Sequence, residues 1–134
     1  MDTMLVKDHM TRTLVTLRPD MDIMEAVTIL CEKKMPGAPV VDQLGNFVGI
    51  LVEKDCLNAA LNAAYFEEQG GRVDSFMHRN VEVVEAEDSI TDVARRLIDT
   101  GYRGMPVINN NNLVGMINRS DILKVLVSIR GLTP

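Results

Sequence analysis

The chain reads as a mixed α/β protein made of two tandem copies of one unit, each a small three-stranded sheet with two helices, the copies related by a pseudo-two-fold axis. Three observations predict this. Phe47 to Leu57 (Phe-Val-Gly-Ile-Leu-Val-Glu-Lys-Asp-Cys-Leu) and Leu113 to Leu123 (Leu-Val-Gly-Met-Ile-Asn-Arg-Ser-Asp-Ile-Leu) share a glycine, an apolar run and an aspartate six residues after the glycine. Ala38-Pro39-Val40-Val41 is answered by Met105-Pro106-Val107-Ile108 at an offset of 67 residues from Pro39 to Pro106, and Asp55 by Asp121 at 66. The one-residue difference falls in the turn from Asn109 to Asn112, a place where a duplicated unit tolerates a deletion. Finally, extended runs and helical stripes follow one another in the same order in both copies.

Each element has its own warrant. Val6 to Thr11 opens with a short apolar turn, and Leu14 to Leu17 is a brief extended run that Pro19 ends. Asp22 and Glu25 fit the N-cap and N3 positions of a capping box, opening a helix whose apolar stripe is Ile23, Val27, Leu30 and Cys31; Pro36 stops it. Ala38 to Val41 and Phe47 to Val52 are strands joined through a glycine turn. A second helix starts near Glu53, carries Leu57, Ala60, Leu61, Ala64 and Tyr65 as its stripe, and ends at Gly70-Gly71. Those glycines, with Glu67-Glu68-Gln69 before them, mark a boundary: one motif is expected over residues 1–69, the other over 70–134.

The second copy restarts the order. Val73 to Met77 repeats Val6 to Met10, Val81 to Val84 repeats the first extended run, and Ser89 with Asp92 supplies another capping box. Ile90, Val93, Ala94, Leu97 and Ile98 restate the helical stripe, which Gly101 closes. A sheet of three strands with two helices cannot bury its apolar face alone. The copies are therefore expected to pack as one compact module with a cleft where equivalent strand ends approach.

Composition narrows the function. A chain of 134 residues, 46% hydrophobic and 25% charged, has the size and make-up of one globular core. A net charge of −5 argues against a sequence-independent nucleic-acid binder, which needs a basic surface. No apolar run is long enough to span a bilayer, and Met1-Asp2-Thr3-Met4 lacks the basic and apolar regions of a leader, so no membrane partner and a cytoplasmic location are expected. Cys31 and Cys56 sit inside helical patterns without a Cys-x-x-Cys partner, and buried thiols in a reducing compartment are expected. His9 and His78 are not aligned with each other, and neither forms a triad or a metal pattern, so the chain is expected not to be an enzyme. The nine methionines fill core gaps or serve an adaptable partner surface.

Taken in order and twice, Val6-Lys7-Asp8-His9-Met10-Thr11, the Pro-Val strands at Pro39-Val40-Val41-Asp42 and Pro106-Val107-Ile108-Asn109, and the two Gly-to-Asp stretches resemble a tandem pair of CBS (cystathionine-β-synthase-type) domains, from Val6 to Leu126. The resemblance implies a regulatory module that pairs into a flat homodimer and binds an adenine-containing ligand between its motifs, with no cofactor required: AMP, ADP, ATP or S-adenosylmethionine. It implies that Asp55 and Asp121 accept the ribose hydroxyls. At the Thr or Ser position of the family pattern this chain has Val52 in one copy and Asn118 in the other, so the first site lacks a polar partner and the second keeps one.

Around those carboxylates, Arg119 and Arg103, with Lys54 and Lys34 at matching places in the first copy, are the candidate phosphate partners. Thr13, Val15, Val81, Val83, Ala38 and Met105 are the candidate lining for the base, or plain core. Both aspartates also fall near N3 of a helix, where a negative charge is favoured without any ligand, and Asn118 suits an N-cap. The expected function is a sensor of an adenine nucleotide, acting mainly at Asp121 and passing its state to a separate regulated protein. The alternative is a ligand-free interaction or scaffold module whose cleft is filled by its own side chains.

Overall fold

The computed structural model describes residues 4–65 and 70–131. Its elements run α1 (Ile23–Lys33), β1 (Gly37–Val41), β2 (Phe47–Val52), α2 (Glu53–Tyr65), β3 (Val84–Glu85), α3 (Ile90–Thr100), β4 (Gly104–Asn109), β5 (Asn112–Asn118) and α4 (Arg119–Ile129). Short 3-10 turns at Val6–Asp8 and Val73–Ser75 precede the two sets. The predicted mixed α/β class and the strand-helix order hold. Asp22 caps α1, its carboxylate accepting from the Met24 and Glu25 amides at 3.0 and 3.3 Å, and the Ser89 hydroxyl accepts from the Asp92 amide at the start of α3.

The sheets are not equal. β3, β4 and β5 form a three-stranded sheet, with β3 parallel to β4 and β4 antiparallel to β5. In the first copy only β1 and β2 pair as strands, antiparallel. The third strand expected at Leu14 to Leu17 is reduced to one parallel bridge, in which the Leu17 amide donates to Pro39 O and the Val41 amide donates to Leu17 O, both at 2.9 Å.

The sequence repeat and the packing unit are cut at different places. One compact unit is residues 1–14 with 82–134; the other is 15–81. Each copy thus lends its opening segment to the other. Val6 is fully buried among Val84, Ile90, Val93, Met105 and Ile117, and its amide donates to Asp88 O. Val73 is fully buried among Leu17, Ile23, Val40 and Leu51, and its amide donates to Met21 O. The physical reason for the exchange is the sheet edge: Thr11 bridges Met116 of β5, and His78 bridges Ile50 of β2, each by two backbone hydrogen bonds of 2.8–2.9 Å. The boundary expected at 69/70 falls beside Glu67-Glu68-Gln69, which lie outside the described residues.

Helix faces depart from the predicted stripes. On α1 the buried side is Ile23, Ala26 and Leu30, which leaves Cys31 exposed where burial was expected. On α2 the buried residues are Cys56 and Ala59, while Leu57, Leu61 and Tyr65 are exposed. The apolar stripe of α2 faces solvent, and the small residues face the core. On α3 and α4, Ile90, Val93, Leu97, Ile122 and Val125 are buried, yet Ile98, Leu123, Leu126 and Ile129 are exposed. Burial pushes the Cys56 thiol above its ordinary range, with the Asp55 carboxylate adding to it, so this thiol stays protonated and inert.

Two substitutions test these packing claims. A Cβ on Gly115 would meet Met10 Sδ at 2.7 Å and the Thr11 carbonyl at 2.9 Å. The carbonyl belongs to the bridging backbone and cannot rotate away, so Gly115→Ala is expected to cost about 1–3 kcal/mol of stability, read by chemical denaturation. Conversely, Lys34 ends α1 at φ 54°, where the equivalent residue of α3 is Gly101 at φ 76°. A side chain is strained there, so Lys34→Gly is expected to add about 0.5–1 kcal/mol and raise Tm by a few degrees in calorimetry.

Candidate functional site

The strand-to-helix junction of the second copy builds the first candidate site. β5 ends at Asn118, which is extended (φ −111°, ψ 161°), and α4 begins at Arg119, so Asp121 stands at N3. Its carboxylate accepts from the Asn118 amide at 2.9 Å. That bond satisfies one of the free amides of the helix start, and the partial positive charge of the terminus favours the anion. The opening segment then brings Thr11 across: its hydroxyl stands 3.4 Å from both Asp121 carboxylate oxygens.

Beside this carboxylate lies an open groove of about 480 Å³, lined by Asp8, His9, Met10, Asp121, Lys124 and Ser128 among others. The size is within the range of small-molecule sites, and the groove offers acceptors at Asp121 and Asp8, an ammonium at Lys124 and an imidazole at His9. Thr11, His9 and Lys124 were not among the expected site residues. The signal for Thr11 was available: the 67-residue offset that aligns the Pro-Val strands also aligns Thr11 with His78. No such signal exists for Lys124, whose place follows from its lying one turn beyond Asp121 on α4.

Arg119 is placed differently from its expected phosphate role. Its guanidinium donates through Nε to Tyr102 O at 2.8 Å and through Nη2 to Gly101 O, and its amide donates to Arg103 O at 2.9 Å. The side chain holds the two carbonyls that follow the end of α3, so a phosphate contact would cost it two hydrogen bonds. It lines a second, apolar groove of about 270 Å³ with Ala94, Leu97, Ile98, Leu123 and Leu126. Arg103 itself is exposed, as is Thr13, and Val83 is half-buried with its carbonyl accepting from Arg96. Met105 is fully buried in the core.

Asn118 has a further role. It pairs with Gly104 across β4 and β5, and a Cβ on Gly104 would run into the Asn118 side-chain oxygen. Val52 stands over Gly37 in the same way, its Cγ1 3.3 Å from where a Cβ would be. Glycine recurs at the head of both Pro-Val strands because the residue before the helix lies across it.

The unit of residues 15–81 carries the second carboxylate. Asp55, in the first turn of α2, accepts from the Val52 amide at 3.2 Å and lies 3.1 Å from His78 Nε2. His78 has no histidine counterpart in the other copy; the residue aligned with it is Thr11. Ala38 is buried in the core, Val15, Val52 and Val81 are half-buried, and Lys54 and Lys34 are exposed. The structure therefore joins Asp121 to Asn118 and Thr11, and Asp55 to Val52 and His78. Met105 and Ala38 stand within the two cores.

Comparison with known proteins follows this geometry. The CBS domain family matches residues 6–62 and 73–128. Among sequence relatives, MJ1225 of Methanocaldococcus jannaschii is 30% identical over 123 residues, covering 92% of this chain, and the chain spans 43% of that protein's length. A CBS domain-containing protein of Dictyostelium discoideum is 29% identical over 135 residues, covering 93% of this chain and 92% of its own. Among solved structures, CBSX2 in complex with AMP superposes with a TM-score of 0.82 at 28% identity over 95% of this chain and 98% of that one. CBSX2 is a CBS-pair protein from Arabidopsis thaliana. The CBS domain pair of MJ0100 in complex with 5-methylthioadenosine and S-adenosyl-L-methionine gives a TM-score of 0.74 at 26% identity over 95% of this chain and 98% of that one. Two matched motifs in one chain, each built on the same Gly-to-Asp junction, make this protein a member of the CBS domain family.

Proposed function

We propose that the chain is a regulatory binding module that holds an adenine nucleotide at Asp121 and passes its state to a separate protein. The carrying observation is the Asp121 carboxylate at a helix start, beside the Thr11 hydroxyl and in a groove that also holds Lys124 and His9. A ribose diol presents two donors that one ionised carboxylate can accept together, and a phosphate can be met by the ammonium and the imidazole along the same groove. CBSX2 with AMP and MJ0100 with methylthioadenosine and S-adenosylmethionine support the ligand class. Binding regulates by stabilising whichever arrangement of the chain holds the ligand better. We read it as a binding module rather than an enzyme, needing no cofactor and located in the cytoplasm. Its two free cysteines suit a reducing compartment, and no helix among the described residues is long and apolar enough to cross a membrane.

The exposed apolar faces support self-association. Ile98, Leu123 and Leu126, which line the α3–α4 groove, are 38–78% exposed, as are Ile129 farther along α4 and Leu57, Leu61 and Tyr65 on α2. Exposed apolar residues clustered on a helix face mark interaction sites. We propose a homodimer formed through these helices. The same faces also fit a scaffold module with no ligand, the reading that Val52 favours.

Two experiments separate the readings. In a thermal-shift panel with AMP, ADP, ATP, NAD and S-adenosylmethionine, a true ligand at a hundredfold its Kd is expected to add about 2.7 kcal/mol. Asp121→Ala is expected to lose that shift while costing the free chain about 1 kcal/mol through its cap. No shift with any of the five at millimolar concentration leaves the scaffold reading, and a full shift in the variant removes Asp121 from the site. For assembly, sedimentation is expected to show twice the 14.9 kDa chain mass, falling to one chain in Leu123→Glu with unchanged far-UV circular dichroism. A monomer in the unsubstituted protein would sink the dimer.

A further inference from the structure

The repeat that brings Thr11 to Asp121 brings His78 to Asp55, and the two pairs are chemically unlike. Asp121 Oδ2 accepts from the Asn118 amide at 2.9 Å, and the Thr11 hydroxyl stands 3.4 Å from each carboxylate oxygen, at the long limit of a hydrogen bond, so no side chain holds either oxygen firmly against an incoming diol. At Asp55, Oδ2 accepts from the Val52 amide at 3.2 Å and faces the His78 ring at 3.1 Å. The Asp55 side chain is left 14% exposed. A diol needs both carboxylate oxygens, so the ring must turn out before the ligand can enter. The flanking position adds to the difference: Asn118 both donates and accepts, whereas Val52 does neither.

We propose that the two carboxylates are an ordered pair of sites, Asp121 filling first and Asp55 second, with His78 guarding the second. This rests on the reading that these carboxylates hold the ribose of an adenine nucleotide. The size of the gap follows from what must be displaced. His78 is 58% exposed, and an exposed imidazole–carboxylate contact weakens a competitor by about fivefold at most. Loss of the polar partner at Val52 removes about another fivefold. The second site is therefore weaker by roughly ten- to thirtyfold, within reach of a millimolar nucleotide when the first is micromolar.

The chain carries its own reporters, because its two histidines are divided between the sites: His9 lines the Asp121 groove and His78 faces Asp55. In a titration with AMP followed by histidine ring resonances, the His9 signals are expected to move first and the His78 signals at about tenfold higher nucleotide or more. Calorimetry is expected to show two steps per chain, with the gap narrowed about fivefold in His78→Thr, which installs the residue its twin carries, and closed further in the double variant with Val52→Asn. Both rings moving together, His78 moving first, or an unchanged gap in His78→Thr would overturn the order while leaving nucleotide binding intact. No heat and no movement of either ring at millimolar AMP would overturn the nucleotide reading itself and the order with it.

Discussion

The structure depends on one close contact made twice: a backbone bridge laid over a glycine. Thr11 pairs with Met116 across Gly115, and His78 pairs with Ile50 across Gly49. At each glycine the space of a missing Cβ is taken by a methionine sulfur and by the bridging carbonyl, at 2.7–2.9 Å. Because these bridges tie the opening segment of each copy to the strand of the other, they decide which residues can share a core. They also decide which side chain reaches each carboxylate. Without them Val6 and Val73 would lose their burial, worth roughly 1.5–3 kcal/mol each.

Each aspartate keeps acceptor capacity beyond its structural role. Each satisfies the amide three residues before it at a helix start, a bond that orients the carboxylate without neutralising it. The remaining acceptor capacity points outward, where Thr11 or His78 meets it. What separates the two sites is the second partner: a hydroxyl at long distance in one, an imidazole at 3.1 Å in the other. That contact is exposed and therefore weak.

The surface follows a similar division of labour. α2 buries Cys56 and Ala59, small enough to let the helix lie close to the sheet, and leaves Leu57, Leu61 and Tyr65 outside. On α4 the core takes Ile122 and Val125 while Leu123 and Leu126 border the α3–α4 groove. These helices are apolar on two sides, one turned to the core and one left at the surface, the side proposed above for self-association.

The repeat, the order of strands and helices, the caps at Asp22 and Ser89 and the places of Asp55 and Asp121 at helix starts were all legible in the sequence, because each rests on local spacing. The pairing of opening segments was not, since a bridge between Thr11 and Met116 joins residues far apart in the chain through backbone atoms that every residue carries. The contact of His78 with Asp55 likewise joins residues far apart in the chain, which local spacing does not register. Local spacing also left Arg119 free on paper to meet a phosphate, where the structure turns its guanidinium onto the carbonyls of Gly101 and Tyr102. An apolar stripe likewise says that a helix has a hydrophobic face but not which face the core takes, as Cys31 on α1 and Leu57 on α2 show. Sequence periodicity determined the elements and the carboxylates; only tertiary packing, which sets side-chain direction and distance, decided what stands beside them.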